Sequence, residues 1–243
     1  MTPLITAVAL SLAGSLGGLL VAAALLLFPD HVRARLIPWL VSYAVGALLA
    51  VALMALLPEA LELSPPEQVF GTLLAAIFLF FVLERLVLWR HCHTHDCEVH
   101  GTAAPLVLVG DAVHNFIDGA MIGTAVLTSF PLAVSTAVAV AAHEIPQEVG
   151  DFAILLHAGY SRTRALALNV ISGASAVAGA VLAVLLVDLI PAVRPVLLCV
   201  AAASFLYIAM ADLIPDLHSG RITGGAVRQL LVVALGIATI LLL

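Results

Sequence analysis

The sequence predicts an all-α, polytopic membrane protein with eight transmembrane helices and both termini outside. Three observations carry this. Of the 243 residues, 63% are hydrophobic and 10% charged, with a mean hydropathy of +1.21; a soluble domain is about 45–50% apolar and about 25% charged. Turn-forming and polar residues cut the chain into apolar runs of bilayer length, about 20 residues each. The nine basic residues, all of them arginine, collect at alternate connections.

The runs follow in order. The first, 4–28, comes after Pro3; it has no basic segment before it, no cleavage signal after it, and more length than a signal peptide needs, so it reads as a span. Pro29-Asp30 closes it. The second, 36–62, ends at Ser64-Pro65-Pro66, and the third covers 69–90. The fourth, 104–127, is divided from the fifth, 131–157, by Thr128-Ser129. The sixth, 164–189, stops before Pro191; the seventh is 195–214; Gly220 and Gly224-Gly225 precede the eighth, 225–243. Gly, Ala and Ser enrich spans four to six, which lets backbones approach closely. Residues 1–243 read as a single transmembrane domain, with 91–103 a His/Cys-rich cytoplasmic loop inside it.

Arg33 and Arg35, Arg85 and Arg90, Arg162 and Arg164, and Arg221 and Arg228 mark the exits of the odd-numbered spans, and only Arg194 lies opposite. Positive charge stays on the cytoplasmic side, which puts those exits inside and both ends outside. The net charge of −6 comes with no basic patch, which excludes nucleic acid as a partner. The lipid bilayer is then a partner, in a plasma or inner membrane, with a homodimer left open as the assembly.

Two polar clusters interrupt the apolar spans. Span four holds Asp111, His114, Asn115 and Asp118; span five holds His143, Glu144, Gln147, Glu148 and Asp151. Residues four apart on a helix share a face, so His114 lies over Asp118 and His143 over Gln147. A charged residue at the centre of a spanning helix costs about 2.5–3.5 kcal/mol on insertion scales, and such residues mark ion or proton pathways. Imidazole with carboxylate and amide oxygens suits a borderline divalent ion, namely zinc, ferrous iron, manganese or cadmium. Pro146 lacks an N–H and clashes with the carbonyl of Ala142, which predicts a broken fifth helix lining a cavity. The loop holding His91, Cys92, His93, His95, Cys97 and His100 is metal-binding by composition and suits ion capture. Asp212, near the cytoplasmic end of span seven, is a candidate for an exit path.

These residues resemble the ZIP (Zrt/Irt-like protein) family of divalent metal transporters. His114-Asn115-x-x-Asp118-Gly119 is similar to the family's fourth-helix motif. His143-Glu144-x-Pro146-x-Glu148-x-Gly150-Asp151-Phe152 is similar to the fifth-helix motif of its branch with HExPxExGDF. Leu206-Tyr207-Ile208-Ala209, leading into Asp212-Leu213-Ile214-Pro215, resembles that branch's seventh helix. The resemblance implies import into the cytoplasm by alternating access, with zinc as the transported substrate and iron, manganese or cadmium as alternatives. It implies that His114, Asp118 and His143 bind the main ion, and that Asn115 and Glu144 bind it or a neighbour. Gln147 stands where the branch usually has a second histidine. Ala176 stands where members with two adjacent ions carry a glutamate, so one principal ion is expected, with Asn169 and Ser172 adding weak polar contacts. The rival reading is an intramembrane zinc protease, because His143-Glu144-x-x-Gln147 looks like a damaged H-E-x-x-H. That chemistry needs two histidines on one helix with the glutamate as general base.

Overall fold

A computed structural model describes residues 2–91, 103–218 and 225–243. Among the described residues every regular element is helical. Five stretches are long and apolar enough to cross a membrane: Pro3–Leu25, His31–Leu63, Pro66–Arg85, Arg162–Leu189 and Pro191–Leu213; Ala226–Leu242 is a shorter apolar helix. Between them lie two helices that match the length and carry the polar clusters.

Helix α1 (Pro3–Leu25) starts on a proline, whose missing N–H is no loss in a first turn. Helix α2 (Asp30–Ala50) continues through a π-helical segment, Val51–Leu56, into α3 (Leu57–Leu63). The seventh run repeats this device: α9 (Arg194–Tyr207) passes through a π segment, Ile208–Leu213, into α10 (Ile214–His218). Pro58 and Pro215 each follow the π segment by two residues. Each removes one donor and crowds the carbonyl four residues back, and the wider π turn relieves that crowding. Helix α4 (Pro66–His91) contains the least buried of the five apolar stretches, with Phe70, Leu74, Phe78 and Leu79 exposed.

Helices α5 (Ala103–Thr128) and α6 (Phe130–His157) hold the polar clusters. Ser129 separates them and caps α6 by accepting from the Leu132 N–H at 3.3 Å. Contrary to the expectation of a break at Pro146, α6 runs unbroken across it. The interruption falls in the sixth run, where Ala174 divides α7 (Arg162–Gly173) from α8 (Ser175–Leu189). The Ser15 hydroxyl oxygen lies 3.0 Å from the Gly173 carbonyl oxygen, within hydrogen-bond reach of that interruption. Between α6 and α7 the chain turns on Gly159, whose φ of +86° belongs to the left-handed region. Tyr160 N–H bonds to Leu155 O and Gly159 N–H to Leu156 O, the paired closure that ends many helices.

Helix α5 packs most extensively on α8, α1 on α6, and α11 (Ala226–Leu242) on α2. The α5–α8 and α2–α11 contacts rest on glycine. A Cβ on Gly119 would overlap the Ala176 carbonyl oxygen, one on Gly179 that of Phe116, and one on Gly46 that of Val233. Ala176 is therefore a packing residue between α8 and α5 and contributes no polar group there. The lone arginine at the opposite end also has its partner: Arg194 donates from Nη2 to Leu127 O at 2.6 Å and from Nε to Thr128 Oγ1 at 3.0 Å. It serves the carbonyl end of α5, where a cation is favoured.

Candidate metal centre

Four side chains from two helices converge where α5 crosses α6. His114 Nε2 and His143 Nε2 lie 3.1 Å apart. Asp118 Oδ2 is 3.0 Å from His143 Nε2 and 3.5 Å from His114 Nε2. Glu144 Oε1 is 3.4 Å from His114 Nε2 and 3.7 Å from His143 Nε2. A tetrahedral ion with bonds of about 2.0–2.2 Å holds its ligand atoms about 3.3–3.6 Å apart. The five separations above, 3.0 to 3.7 Å, bracket that range.

The helix geometry explains the convergence. His114 and Asp118 stack on one face of α5, and adjacent His143 and Glu144 on α6 straddle the line where α5 packs. His143 is oriented by its other nitrogen: Nδ1–H donates to Ala139 O at 3.0 Å, which leaves the Nε2 lone pair for the centre. The Phe205 ring meets the His143 ring edge-on, with centroids 6.1 Å apart. Gly18 of α1 brings its backbone against Glu144, since a Cβ there would sit 3.0 Å from the glutamate Cβ. Asp118 and Glu144 are fully buried and His143 nearly so, while the His114 side chain is 20% exposed. Asp118 Oδ1 and both Glu144 carboxylate oxygens have no hydrogen-bond donor. Buried charged oxygens without donors are costly unless a cation completes them.

His114 also faces a cavity of about 470 Å³, shared with Glu84, Ser204, Tyr207 and Asp212. The Tyr207 hydroxyl donates to Glu84, joining α9 to α4 at its wall. Of the four side chains, His114 is the one that lines this cavity.

Two of the expected ligands hydrogen-bond to Asp111. The Asn115 amide donates to Asp111 Oδ1 at 2.9 Å and to Asp111 O at 3.2 Å, and its carbonyl accepts from Ser15 Oγ at 2.7 Å. The Gln147 amide donates to Asp111 Oδ1 at 3.3 Å. Both residues brace Asp111 beside the quartet. This also removes the geometric basis of a protease reading, because the position that would supply a second histidine on α6 points its amide at Asp111. Glu148 and Asn169 are buried near Asp111, Asp151 is half-buried one turn farther along α6, and Asp212 is exposed at the cavity. His91 ends α4; Cys92, His93, His95, Cys97 and His100 lie outside the described residues. Ser15 escaped the sequence reading. Its signal was a serine among Gly14, Gly17 and Gly18 in an otherwise apolar run, where another helix comes close.

Comparison with known proteins adds a second line. The family model described as ZIP Zinc transporter matches residues 89–243, which include both polar clusters. Zinc transporter ZIP4 of Mus musculus is 45% identical over 116 residues, covering 48% of this chain and 17% of that protein. Zinc transporter ZIP10 of Homo sapiens is 36% identical over 132 residues, covering 53% and 16%. Metal cation symporter ZIP8 of Homo sapiens is 37% identical over 118 residues, covering 49% and 25%. The chain therefore spans a quarter or less of the length of these relatives.

Proposed function

This chain belongs to the ZIP zinc transporter family, and from that premise we propose that it carries a divalent transition metal, zinc first, across a membrane into the cytoplasm. The observation that carries the proposal is the quartet His114, Asp118, His143 and Glu144, whose imidazole nitrogens stand 3.0 to 3.7 Å from each other and from the two carboxylates. Its mixture of two imidazoles and two carboxylates suits an ion that is bound and then released. A closed site of thiolates would favour permanent residence. The same donors accept ferrous iron, manganese or cadmium.

The ion sheds water as the four groups replace it. Eight spans with both termini outside place the arginine-bearing connections in the cytoplasm, so the ion arrives from the side of Arg194 and leaves toward the others. The quartet lies between α5 and α6, each packed on its own neighbour. Helices α1, α5, α6, α7 and α8 move together against α2, α4, α9 and α11, exposing the quartet to each side in turn. Because the ligands must be deprotonated to bind metal, protons on the cytoplasmic side assist release.

The test is zinc-65 uptake into proteoliposomes containing the purified chain, with His143→Ala and Asp118→Asn beside it. Uptake that saturates with zinc and disappears in both variants, with protein still in the bilayer, supports the proposal. Equal uptake by the variants and the parent contradicts it.

A further inference from the structure

Two cavities of about 470 Å³ carry opposite charge. The one beside His114 holds Glu84 and Asp212. The other lies where the end of α1, the last turns of α6, the first turn of α7 and the start of α2 meet, and it holds Arg33 and Arg162. The rest of its wall is largely apolar, with Leu26, Phe152, Leu156 and Leu166 in it. Among the described residues no acidic side chain lines it.

The two halves of this cavity ask for different chemistry. A guanidinium presents a planar fork of donors that matches a phosphate. Arg33 is half-buried and Arg162 exposed, and Arg162 opens α7, at the helix end that favours negative charge. The neighbouring cations stand apart from the lining: Arg164 lies over the Tyr160 ring, 4.7 Å from its centroid, and Arg35 points elsewhere on α2. On the apolar half, Phe152 is buried, Leu156 half-buried and Leu166 exposed, so the wall continues outward to the bilayer. A soluble anion would meet the arginines and leave that wall against water. A neutral hydrocarbon would cover the wall and leave two cations beside it. A molecule with a negative head and an acyl chain satisfies both halves.

We propose that this cavity binds an anionic phospholipid, its phosphate held by Arg33 and Arg162 and an acyl chain laid along Leu26, Phe152 and Leu156. Basic pockets between spanning helices at headgroup depth hold anionic lipid heads in this way. The volume of about 470 Å³ falls within the range of ligand pockets, about 300–1,000 Å³. It takes the head and the first part of the chains, and the tails run on into the bilayer. Arg33 belongs to α2, and the other contacts come from α1, α6, α7 and the turn after α1, so the bound lipid ties α2 to its three neighbours. None of these residues belongs to the quartet, and the proposal stands or falls apart from the metal reading.

The test is native mass spectrometry of the full chain, purified in detergent and titrated with phosphatidylglycerol or with phosphatidylcholine of the same acyl chains. The expected result is one tightly held phosphatidylglycerol per chain, with phosphatidylcholine held more weakly. Arg33→Gln and Arg162→Gln should each weaken phosphatidylglycerol about five-fold, and the double variant should abolish the preference. Ala24→Phe, which fills the cavity and keeps both arginines, should also displace the lipid. Arg35→Gln, a cation of the same end outside the lining, should bind like the parent. Equal retention of the two lipids by the parent, or an unchanged preference in the double arginine variant, overturns the proposal. So does an equal loss in Arg35→Gln, which would mark a diffuse attraction to the basic end. Inorganic phosphate that competes the lipid away at millimolar concentration would make this a site for free anions, and that too would overturn it.

Discussion

Helix α5 has two faces that do opposite work. Toward α6 it presents His114 with Asp111 and Asp118, two buried carboxylates that each keep one oxygen without a hydrogen-bond donor. Toward α8 it presents almost no side chain: Gly119 and Gly123 lie so close to Ala176 and Ala180 that an added Cβ would meet backbone. The first face supplies ligands and the second supplies position. Imidazole nitrogens held 3.0 to 3.7 Å from each other and from the carboxylates need a helix seated in a fixed position. Backbone seated on backbone gives that stiffness better than long side chains with many rotamers. The difference teaches that a binding site in lipid is specified as much by glycines as by histidines.

The comparison can be broken from either face. The largest effect belongs to the ligand face. Losing a partner that merely orients a ligand costs about 10–100-fold in metal affinity, so His143→Ala should exceed about 100-fold. The thermal unfolding temperature in detergent should stay near that of the parent. Calorimetric zinc titration beside a melting curve checks both halves. Gly119→Leu should do the reverse first: overpacking costs about 1–3 kcal/mol or more where backbone must move, so the unfolding temperature falls before zinc affinity is considered. If Gly119→Leu melts like the parent, the α5–α8 seam is looser than described.

Smaller changes sharpen the picture. Ser15 bridges α1 to Asn115 and to Gly173. Ser15→Ala should cost about 1 kcal/mol of stability and leave zinc affinity within ten-fold of the parent. Gln147→Ala should have the least effect on zinc, because its amide is committed to Asp111. A loss comparable to that of His143→Ala would make Gln147 a ligand after all.

Much of this was readable from residues alone, and the gaps have physical causes. His114 with Asp118, and His143 with Glu144, follow from helical spacing in spans too apolar to tolerate idle charge. The hydrogen-bond partners of Asn115 and Gln147 were not readable, because they depend on the rotation of α5 against α6. That rotation is set by glycine contacts with a third helix and by Ser15 on a fourth. Pro146 signalled a break that the structure does not make. The interruption at Ala174 had no proline to announce it. The π segments did have one each, at Pro58 and Pro215, though a missing donor marks only a site of strain and not the shape that relieves it. Arg194 looked like an exception to the charge pattern until its guanidinium was seen bonded to the end of α5.

Zinc X-ray absorption tests the quartet most directly, using the chain loaded with one equivalent of zinc and its loop histidines and cysteines replaced. The account predicts four nitrogen and oxygen neighbours at about 2.0–2.2 Å, two of them with the outer-ring scattering of imidazole. One of those two should be lost in His143→Ala. A zinc spectrum without imidazole scattering, or one that His143→Ala leaves unchanged, would contradict it.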